Sequence, residues 1–242
     1  MIKKYILYLL CVLCYGCFSI DLEINKDSNP EDPNGLKKNK QTTKLPNDIR
    51  WVTNSSEYKI LCEQIYQHAW DNLSVTLNEA TNETAIIMDL DETVLDNSKY
   101  QIGLVEKNET YNPDSWSIWV NLKEAELIPG AKEFIDSVRM TDTRIIFLSN
   151  RMAKNELPTI ENMKQLNIYR DSDIFLLRID KADKKYVRRS EVINGTGRLK
   201  DIGAMSVLAY FGDAYHDFPD EDENYIFGDN MFMFPNPMYG KW

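Results

Sequence analysis

The chain has 242 residues, of which 43% are hydrophobic, and a formal net charge of −10. This acidic balance, without a basic stripe, argues against a nucleic-acid polymer as ligand, since such proteins need clustered positive charge to release counterions. The two histidines, His68 and His216, are too few to favour a zinc site or catalysis by a phosphorylated histidine.

The amino terminus has the pattern of an export signal. Lys3 and Lys4 precede an apolar run over residues 5–15, which is too short to span a bilayer. We therefore expect a signal peptide over residues 1–17. Gly16-Cys17 resembles the junction at which bacterial lipoproteins are cut, which predicts a lipid anchor on Cys17. The alternative is that the signal peptide is cleaved and the protein is secreted without a lipid, because Cys14 stands where lipoprotein signals usually carry leucine.

Residues 18–46 are predicted to form a flexible tether, because residues 21–46 are rich in Asp, Asn, Lys and Pro and contain few apolar groups. Residues 47–242, roughly 195 in number, are enough for one domain with a well-developed core. If Cys17 carries lipid, Cys62 remains as the one other cysteine of the mature chain. Cys62 lies within an apolar-periodic helix predicted over residues 57–77 and is expected to be an inert core residue.

The most informative stretch is residues 84–98, where a short apolar run leads into Asp89 and Asp91. The run is typical of a buried parallel strand, and ligands of open α/β sheets bind at the carboxyl ends of strands. Two carboxylates so close repel each other, and this repulsion is tolerable if a divalent cation lies between them or one of them is protonated. Mg²⁺ suits such oxygen ligands. A calcium loop of the EF-hand type is excluded, because Val94 and Tyr100 stand where that loop needs Gly and Glu.

Two further polar groups follow predicted strands. The apolar run over residues 143–148 ends in Ser149-Asn150-Arg151, whose hydroxyl and amides suit phosphate oxygens. The run over residues 206–211 ends in Gly212 and Asp213, with Asp217 close behind. Between these strands, the basic segment 181–189 offers lysines that could neutralise a bound phosphate.

Strands that alternate with helices predict an α/β fold with a Rossmann-like parallel sheet and helices on both faces. Segments 50–80 and 98–128 are expected to form a small helical cap over the carboxyl ends of the strands. The predicted strands are 84–89, 143–148, 173–177, 206–211 and 230–234. The predicted helices are 57–77, a helical region near 114–126, 131–140, 157–165 and 183–192.

The order of these motifs resembles the haloacid dehalogenase superfamily, and within it the class C acid phosphatases, the bacterial outer-membrane lipoprotein 5′-nucleotidases. The resemblance covers residues ~50 to 242 and implies a haloacid dehalogenase-like core. It rests on the following segments: residues 51–57, 89–98, 116–119, 128–130, 149–151, 212–218 and 235–242.

The resemblance implies catalytic roles for both early aspartates. Asp89 would be the nucleophile that becomes an aspartyl phosphate, and Asp91 would be the general acid and then the base. Mg²⁺ would be the cofactor, held by Asp89, the backbone carbonyl of Asp91, and Asp213. Asp217 would bind the Mg²⁺ through a water molecule, or it would hold the ligands of the Mg²⁺ in place without binding the ion itself.

The same resemblance implies that Ser149, the backbone amide of Asn150 and one lysine hold the phosphoryl oxygens. Lys181, Lys184 and Lys185 all lie near the expected place. Lys185 is favoured, because the family's lysine is followed three residues later by an arginine, here Arg188.

Substrate recognition is expected from aromatic rings at Trp116 and Tyr239, which the resemblance places on either side of a base. Stacking tolerates different bases, so we expect broad action on nucleotides. Trp119 is expected in the core. The resemblance also allows a homodimer.

These observations together predict a Mg²⁺-dependent acid phosphatase that hydrolyses phosphomonoesters, above all nucleoside 5′-monophosphates, and stands at the outer membrane or periplasmic face on a lipid anchor. Two alternatives remain open. One is a phosphotransferase that uses the same aspartyl phosphate, and the other is a non-catalytic ligand-binding surface lipoprotein.

Overall fold

The computed structural model describes residues 44–220 and 224–240, all of which belong to one unit, Thr42–Trp242. The predicted signal over residues 1–17, Cys17 and almost all of the tether lie outside these residues. Within the described part, no helix combines the length and the apolar character that crossing a membrane requires.

A five-stranded parallel sheet occupies the centre of the unit, in the order β5-β4-β1-β6-β7. A two-stranded antiparallel sheet joins β2 to β3. The strands are β1 (Thr84–Met88), β2 (Leu95–Asp96), β3 (Glu126–Leu127), β4 (Arg144–Met152), β5 (Ile174–Arg178), β6 (Ser206–Gly212) and β7 (Met231–Met233). The helices are α1 (Asn47–Asn54), α2 (Ser56–Asn78), α3 (Ser98–Lys107), α4 (Pro113–Leu122), α5 (Ala131–Val138), α6 (Glu156–Gln165) and α7 (Lys185–Asn194).

The central strand β1 is buried on both faces. Ile86 and Met88 pack into one hydrophobic cluster and Ala85 and Ile87 into another, as the alternation of side chains along a strand requires. Helices α2 and α5 supply the first cluster, and α7 supplies the second through Val192. The predicted parallel sheet with helices on both faces is therefore confirmed.

Between β1 and α5 the chain leaves the sheet and forms β2, α3, α4 and β3. Helix α4 is shorter than the helical region predicted near residues 114–126. It ends at Leu122 because Lys123 adopts the left-handed conformation, with a φ of 59°. The periodicity of the sequence did not delimit α1, α3 or the β2–β3 pair, which are short and are stabilised by packing on neighbouring elements.

The remaining predicted elements lie within a few residues of the observed ones. The largest difference is at β4, which continues to Met152 rather than ending at residue 148. The extension comes from pairing with β5, where Met152 is in register with Arg178 after an irregularity at Ser149. Cys62 is fully buried and Trp119 is buried, as expected for core residues.

Candidate active site

Three neighbouring strands bring the predicted site residues to one edge of the sheet. Asp89 directly follows β1, Ser149 lies near the end of β4, and Asp213 directly follows β6. Because β1 lies between β4 and β6 in a parallel sheet, their carboxyl ends must meet. The Asp89 amide donates to the Phe211 carbonyl at 2.9 Å, which extends the pairing of β1 with β6 into the site.

A cluster of three carboxylates occupies this edge. One oxygen from each of Asp89, Asp213 and Asp217 lies within 4.8 Å of the others. Burial raises the pKa of Asp89 well above its usual value, and the neighbouring carboxylates add to the increase against the opposing effect of Lys185. Burial and then Asp217 raise the pKa of Asp213 to about 7. Carboxylates crowded and buried in this way ionise less readily unless further positive charge is bound beside them.

Gly212 makes the close approach of Asp217 possible. A Cβ atom at position 212 would lie 2.3 Å from the Cβ of Asp217, a separation that no side chain could accept. Glycine therefore allows the turn after β6 to fold back, so that Asp217 joins Asp213 and Asp89.

Lys185 is the one lysine of the three candidates that reaches this cluster. It begins α7, is 5% exposed, and its Nζ donates to Asp89 Oδ1 at 2.6 Å and to Asp217 Oδ1 at 2.5 Å. Burial by itself would lower the pKa of Lys185, but Asp217 and Asp89 outweigh that effect and raise it. Lys181 and Lys184 are exposed, so the geometry favours Lys185, as the spacing to Arg188 predicts.

Asp91 lies outside the carboxylate cluster and is held by other partners. Arg151 donates from Nε to Asp91 Oδ1 at 2.8 Å, and its Nη2 lies 2.7 Å from the same oxygen in an ion pair. Asn97 Nδ2 donates to the same oxygen at 3.0 Å. Among the described residues, Asp91 Oδ2 accepts only a long 3.4 Å bond from Ser149. The side chain of Asp91 is therefore oriented by one oxygen, and its other oxygen is available to a ligand.

Ser149 and Asn150 are positioned by a buried arginine of α7. Arg188 Nη1 donates to the Ser149 carbonyl at 2.5 Å, and its Nη2 donates to Asn150 Oδ1 at 2.8 Å. Asn150 Nδ2 also lies 3.1 Å from His216 Nε2, which is on the exposed rim. These two contacts fix the Asn150 side chain, and the backbone amide of the same residue is the group expected to bind phosphate.

The two predicted substrate-binding aromatics lie in different segments. Trp116 on α4 packs edge-on against Tyr100 with 5.0 Å between ring centroids, and the guanidinium of Arg151 lies 5.8 Å over its ring. Trp116 therefore packs against Arg151, the arginine that also binds Asp91. Tyr239 is half-buried near the carboxyl terminus. Its segment reaches the carboxylate cluster through Asn236, whose Nδ2 donates to Asp213 Oδ2 at 2.7 Å.

The acidic cluster suits a hard divalent cation. Its donors are carboxylate oxygens, which Mg²⁺ prefers, and their mutual repulsion is the cost that a cation would remove. Lys185 already offsets part of this charge through Asp89 and Asp217.

Residues 28–242 match the acid phosphatase family of the haloacid dehalogenase superfamily, subfamily IIIB. The chain belongs to this family. A solved class C acid phosphatase from Bacillus anthracis, with tungstate bound, is 30% identical to the chain with a TM-score of 0.66. The alignment covers 80% of this chain and 84% of that one. A second structure of the Bacillus anthracis class C acid phosphatase is also 30% identical, with a TM-score of 0.65.

As an acid phosphatase of this subfamily, the chain is a phosphomonoester hydrolase with an α/β fold of the haloacid dehalogenase type. Enzymes of this superfamily generally use a divalent metal, in keeping with the acidic cluster. The enzyme's structure also adds site residues to which the sequence analysis assigned no role, namely Arg151, Asn97 and Asn236. Arg151 directly follows Ser149-Asn150 and Asn97 lies in the motif of Asp91, so proximity to known motifs was the available signal.

Proposed function

We propose that this acid phosphatase is a Mg²⁺-dependent 5′-nucleotidase that works through an aspartyl phosphate on Asp89. The observation that carries the proposal is the environment of Asp89, a buried carboxylate that directly follows the central strand and contacts the Lys185 ammonium at 2.6 Å. A carboxylate needs no activating base to act as a nucleophile. It does need compensating positive charge before a phosphate dianion can approach.

In the first half-reaction, an oxygen of Asp89 forms a bond to phosphorus while the bond from phosphorus to the leaving alkoxide breaks. Asp91 donates a proton to that alkoxide. In the second half-reaction, water attacks the same phosphorus, Asp91 accepts the proton, and Asp89 is released with orthophosphate. The available oxygen Oδ2 of Asp91 suits both proton transfers, because Oδ1 is engaged with Arg151 and Asn97.

Mg²⁺, when bound, would supply positive charge that offsets the carboxylates and the transferred phosphoryl group. Asp89, Asp213 and Asp217 would hold it together with the Asp91 backbone carbonyl. Ser149, the Asn150 amide and Lys185 would bind the phosphoryl oxygens. Ser149 and Lys185 are buried at the carboxyl edge of the sheet, where such contacts are protected from bulk water.

A nucleoside is the leaving group that best fits the aromatic surroundings of this site. Trp116 has Tyr100 and the partly exposed Tyr111 as ring neighbours, and it lies beside Arg151. A flat base can stack on such a surface with little selectivity among bases. We assign Tyr239 to the same role on the basis of its place three residues after Asn236.

The decisive experiment traps the phosphorylated residue. The mature protein is quenched during turnover of a ³²P-labelled nucleoside monophosphate and mapped by peptide mass spectrometry. We expect label on Asp89, and no label and no turnover of an aryl phosphate in Asp89→Asn. Asp201→Asn, which removes an exposed aspartate elsewhere, should behave as the wild type. Label on another residue, or turnover by Asp89→Asn, would refute the proposal.

We further propose that export and a lipid on Cys17 place the enzyme at the membrane surface, on the sequence evidence of the signal pattern. Metabolic labelling with palmitate in a bacterial host should label the wild type and leave Cys17→Ser unlabelled and released. Equal labelling of both would contradict the anchor.

A further inference from the structure

A second cavity lies at the opposite edge of the sheet from Asp89. Its volume is about 250 Å³, and its walls come from segments that precede strands: Asn82 before β1, Thr143 and Arg144 at the start of β4, and Arg170 to Asp173 before β5. Because these strands are parallel, the amino ends that line this cavity are separated by the length of the strands from the carboxyl ends that hold Asp89, Ser149 and Asp213.

The cavity is lined by more positive than negative side chains, although the whole chain is acidic. Arg139, Arg144 and Arg170 line it together with Asp142 and Asp173. Asp173 is already satisfied, since it accepts from Arg139 Nη2 at 2.7 Å and from the Arg170 amide at 2.8 Å. The lining therefore retains uncompensated guanidinium charge.

Most of the guanidinium donors around the cavity are unused within the described residues. Arg144 donates from Nε to the Asn82 carbonyl at 2.9 Å, and Arg170 donates from Nη1 to the Arg139 carbonyl at 3.2 Å. Both Nη groups of Arg144, and Nη2 and Nε of Arg170, make no hydrogen bond to any residue that the structure describes. Arg139 differs, because its Nη2 is already taken by Asp173 and by the Ile168 carbonyl at 2.6 Å. The free donors of Arg144 and of the exposed Arg170 suit an anion with several oxygens.

Two buried polar atoms of the lining also have no partner in the described part of the chain. The Arg139 side chain is 5% exposed, yet its Nε makes no hydrogen bond, and the same holds for Oγ1 of the buried Thr143. Buried groups of this kind are almost always satisfied, so each points to a ligand, an ion or water that completes the wall of the cavity.

We propose that this cavity is a second, non-catalytic binding site for a phosphate group, held by Arg139, Arg144 and Arg170. A tetrahedral oxyanion has enough acceptor oxygens for several guanidinium groups at once, whereas a carboxylate pairs with the two parallel N–H donors of a single guanidinium. The volume suits a small ligand, since it lies below the range of drug-sized pockets. Orthophosphate is a product of the enzyme, and a nucleotide carries the same group, so either source could fill the site.

The test is equilibrium dialysis of the full mature protein with ³²P-orthophosphate in excess EDTA. Without metal, the carboxylates around Asp89 repel phosphate from the catalytic site, so binding that remains reports on the second cavity. We expect one phosphate bound per chain. Arg144→Gln and Arg170→Gln should each weaken this binding at least tenfold while kcat/KM with Mg²⁺ stays unchanged. Arg50→Gln, which removes an exposed arginine outside the cavity, should bind as the wild type.

A parallel dialysis with ³²P-labelled AMP identifies the source of the phosphate group. If orthophosphate binds more tightly than AMP, the natural ligand is the free ion. If AMP binds and its binding depends on Arg144 and Arg170, the natural ligand is a nucleotide. Either result supports the site. Absence of binding for both ligands in EDTA, or binding that neither arginine variant changes, would overturn the proposal, and neither result depends on how Asp89 acts.

Discussion

At the level of single residues, the most consequential asymmetry is between the two oxygens of Asp91. Oδ1 accepts from Arg151 Nε and Asn97 Nδ2 and also lies 2.7 Å from Arg151 Nη2, whereas Oδ2 accepts, among the described residues, only the long bond from Ser149. Arg151 is itself fixed by Thr159 and by Asn97, and it is buried. This network orients Asp91, the proposed general acid, and leaves Oδ2 with the weaker contact.

Arg151→Lys should therefore impair proton donation rather than phosphate transfer as such. A lysine offers a point charge in place of the fork, so Asp91 would lose its fixed orientation. We expect kcat/KM for an alkyl phosphate, whose leaving group needs a proton, to fall roughly tenfold to a hundredfold. The fall for p-nitrophenyl phosphate, whose leaving group is stable as an anion, should be much smaller.

Initial-rate kinetics on the two substrates measure this difference, with Arg50→Lys as the surface control. Equal losses on both substrates would show that Arg151 acts on the phosphoryl group or on folding, and not through Asp91.

Trp116 provides a second test at the level of one side chain. Trp116→Ala removes the ring on which a base would stack, and such stacking contributes about 1–3 kcal/mol. We expect kcat/KM for nucleoside monophosphates to fall roughly fivefold to a hundredfold, and kcat/KM for a small alkyl phosphate to change little. Ile118→Ala, on the exposed face of the same helix, is the matched control. A parallel loss on both substrates would contradict the stacking role.

At the level of elements, the placement of Lys185 depends on how α7 is anchored. Arg198, in the turn after α7, donates to Asp183 just before the helix and to Glu191 within it. Gly197 allows this turn, because its φ is 53° and a Cβ there would lie 2.6 Å from Cδ of Glu191. One guanidinium thus joins the two ends of the helix that begins with Lys185.

Glu191→Gln should weaken this anchor in a manner that depends on pH. The hydrogen bond with Arg198 lowers the pKa of Glu191 below its ordinary value of 4.5. A carboxylate with a lowered pKa in the folded state stabilises the fold fully above pH 4.5, and the effect is lost as the pH falls through the lower folded value. We expect Glu191→Gln to lower the free energy of unfolding by roughly 1 kcal/mol or less at neutral pH.

Urea unfolding at a series of pH values measures this difference, which should shrink as the pH drops below 4.5. Glu79→Gln, an exposed glutamate at the end of α2, should show no such difference. A gap between wild type and Glu191→Gln that stays constant into acid would contradict the ion pair as its cause.

At the level of the whole molecule, the proposed metal site in the carboxylate cluster would link folding to metal binding. Burial and neighbouring charge raise the pKa values of Asp89 and Asp213, so the folded state is disfavoured by their ionisation unless a cation is present. A ligand that binds only the folded state stabilises it by about 2.7 kcal/mol at a hundred times its dissociation constant.

Saturating Mg²⁺ should accordingly raise the melting temperature of the wild type above that in EDTA. Asp213→Asn should lose most of this increase, and in EDTA at mildly alkaline pH it should be at least as stable as the wild type, because one buried negative charge is gone. Thermal unfolding followed by circular dichroism measures both effects. Asp201→Asn should keep the full increase, and an increase of equal size in Asp213→Asn would place the cation elsewhere.

Most of the sheet could be predicted because its central strands are short apolar runs, and few other structures bury four consecutive residues such as Ala85 to Met88. The polar residues that follow these runs had to meet at one edge. By contrast, α1, α3 and the β2–β3 pair are too short for periodicity to define, and their positions come from contacts with neighbours.

The sequence by itself determined that this chain has a parallel α/β sheet, that Asp89 and Asp213 lie at its carboxyl edge, and that the chain resembles the family to which it belongs. These conclusions depend on local order along the chain and on the direction of parallel strands. Only the tertiary structure decided that Lys185 is the lysine beside Asp89, that Arg151 holds one oxygen of Asp91, and that three arginines surround a second cavity. Those pairs are up to 96 residues apart, and contacts over such distances depend on packing that no local pattern of residues specifies.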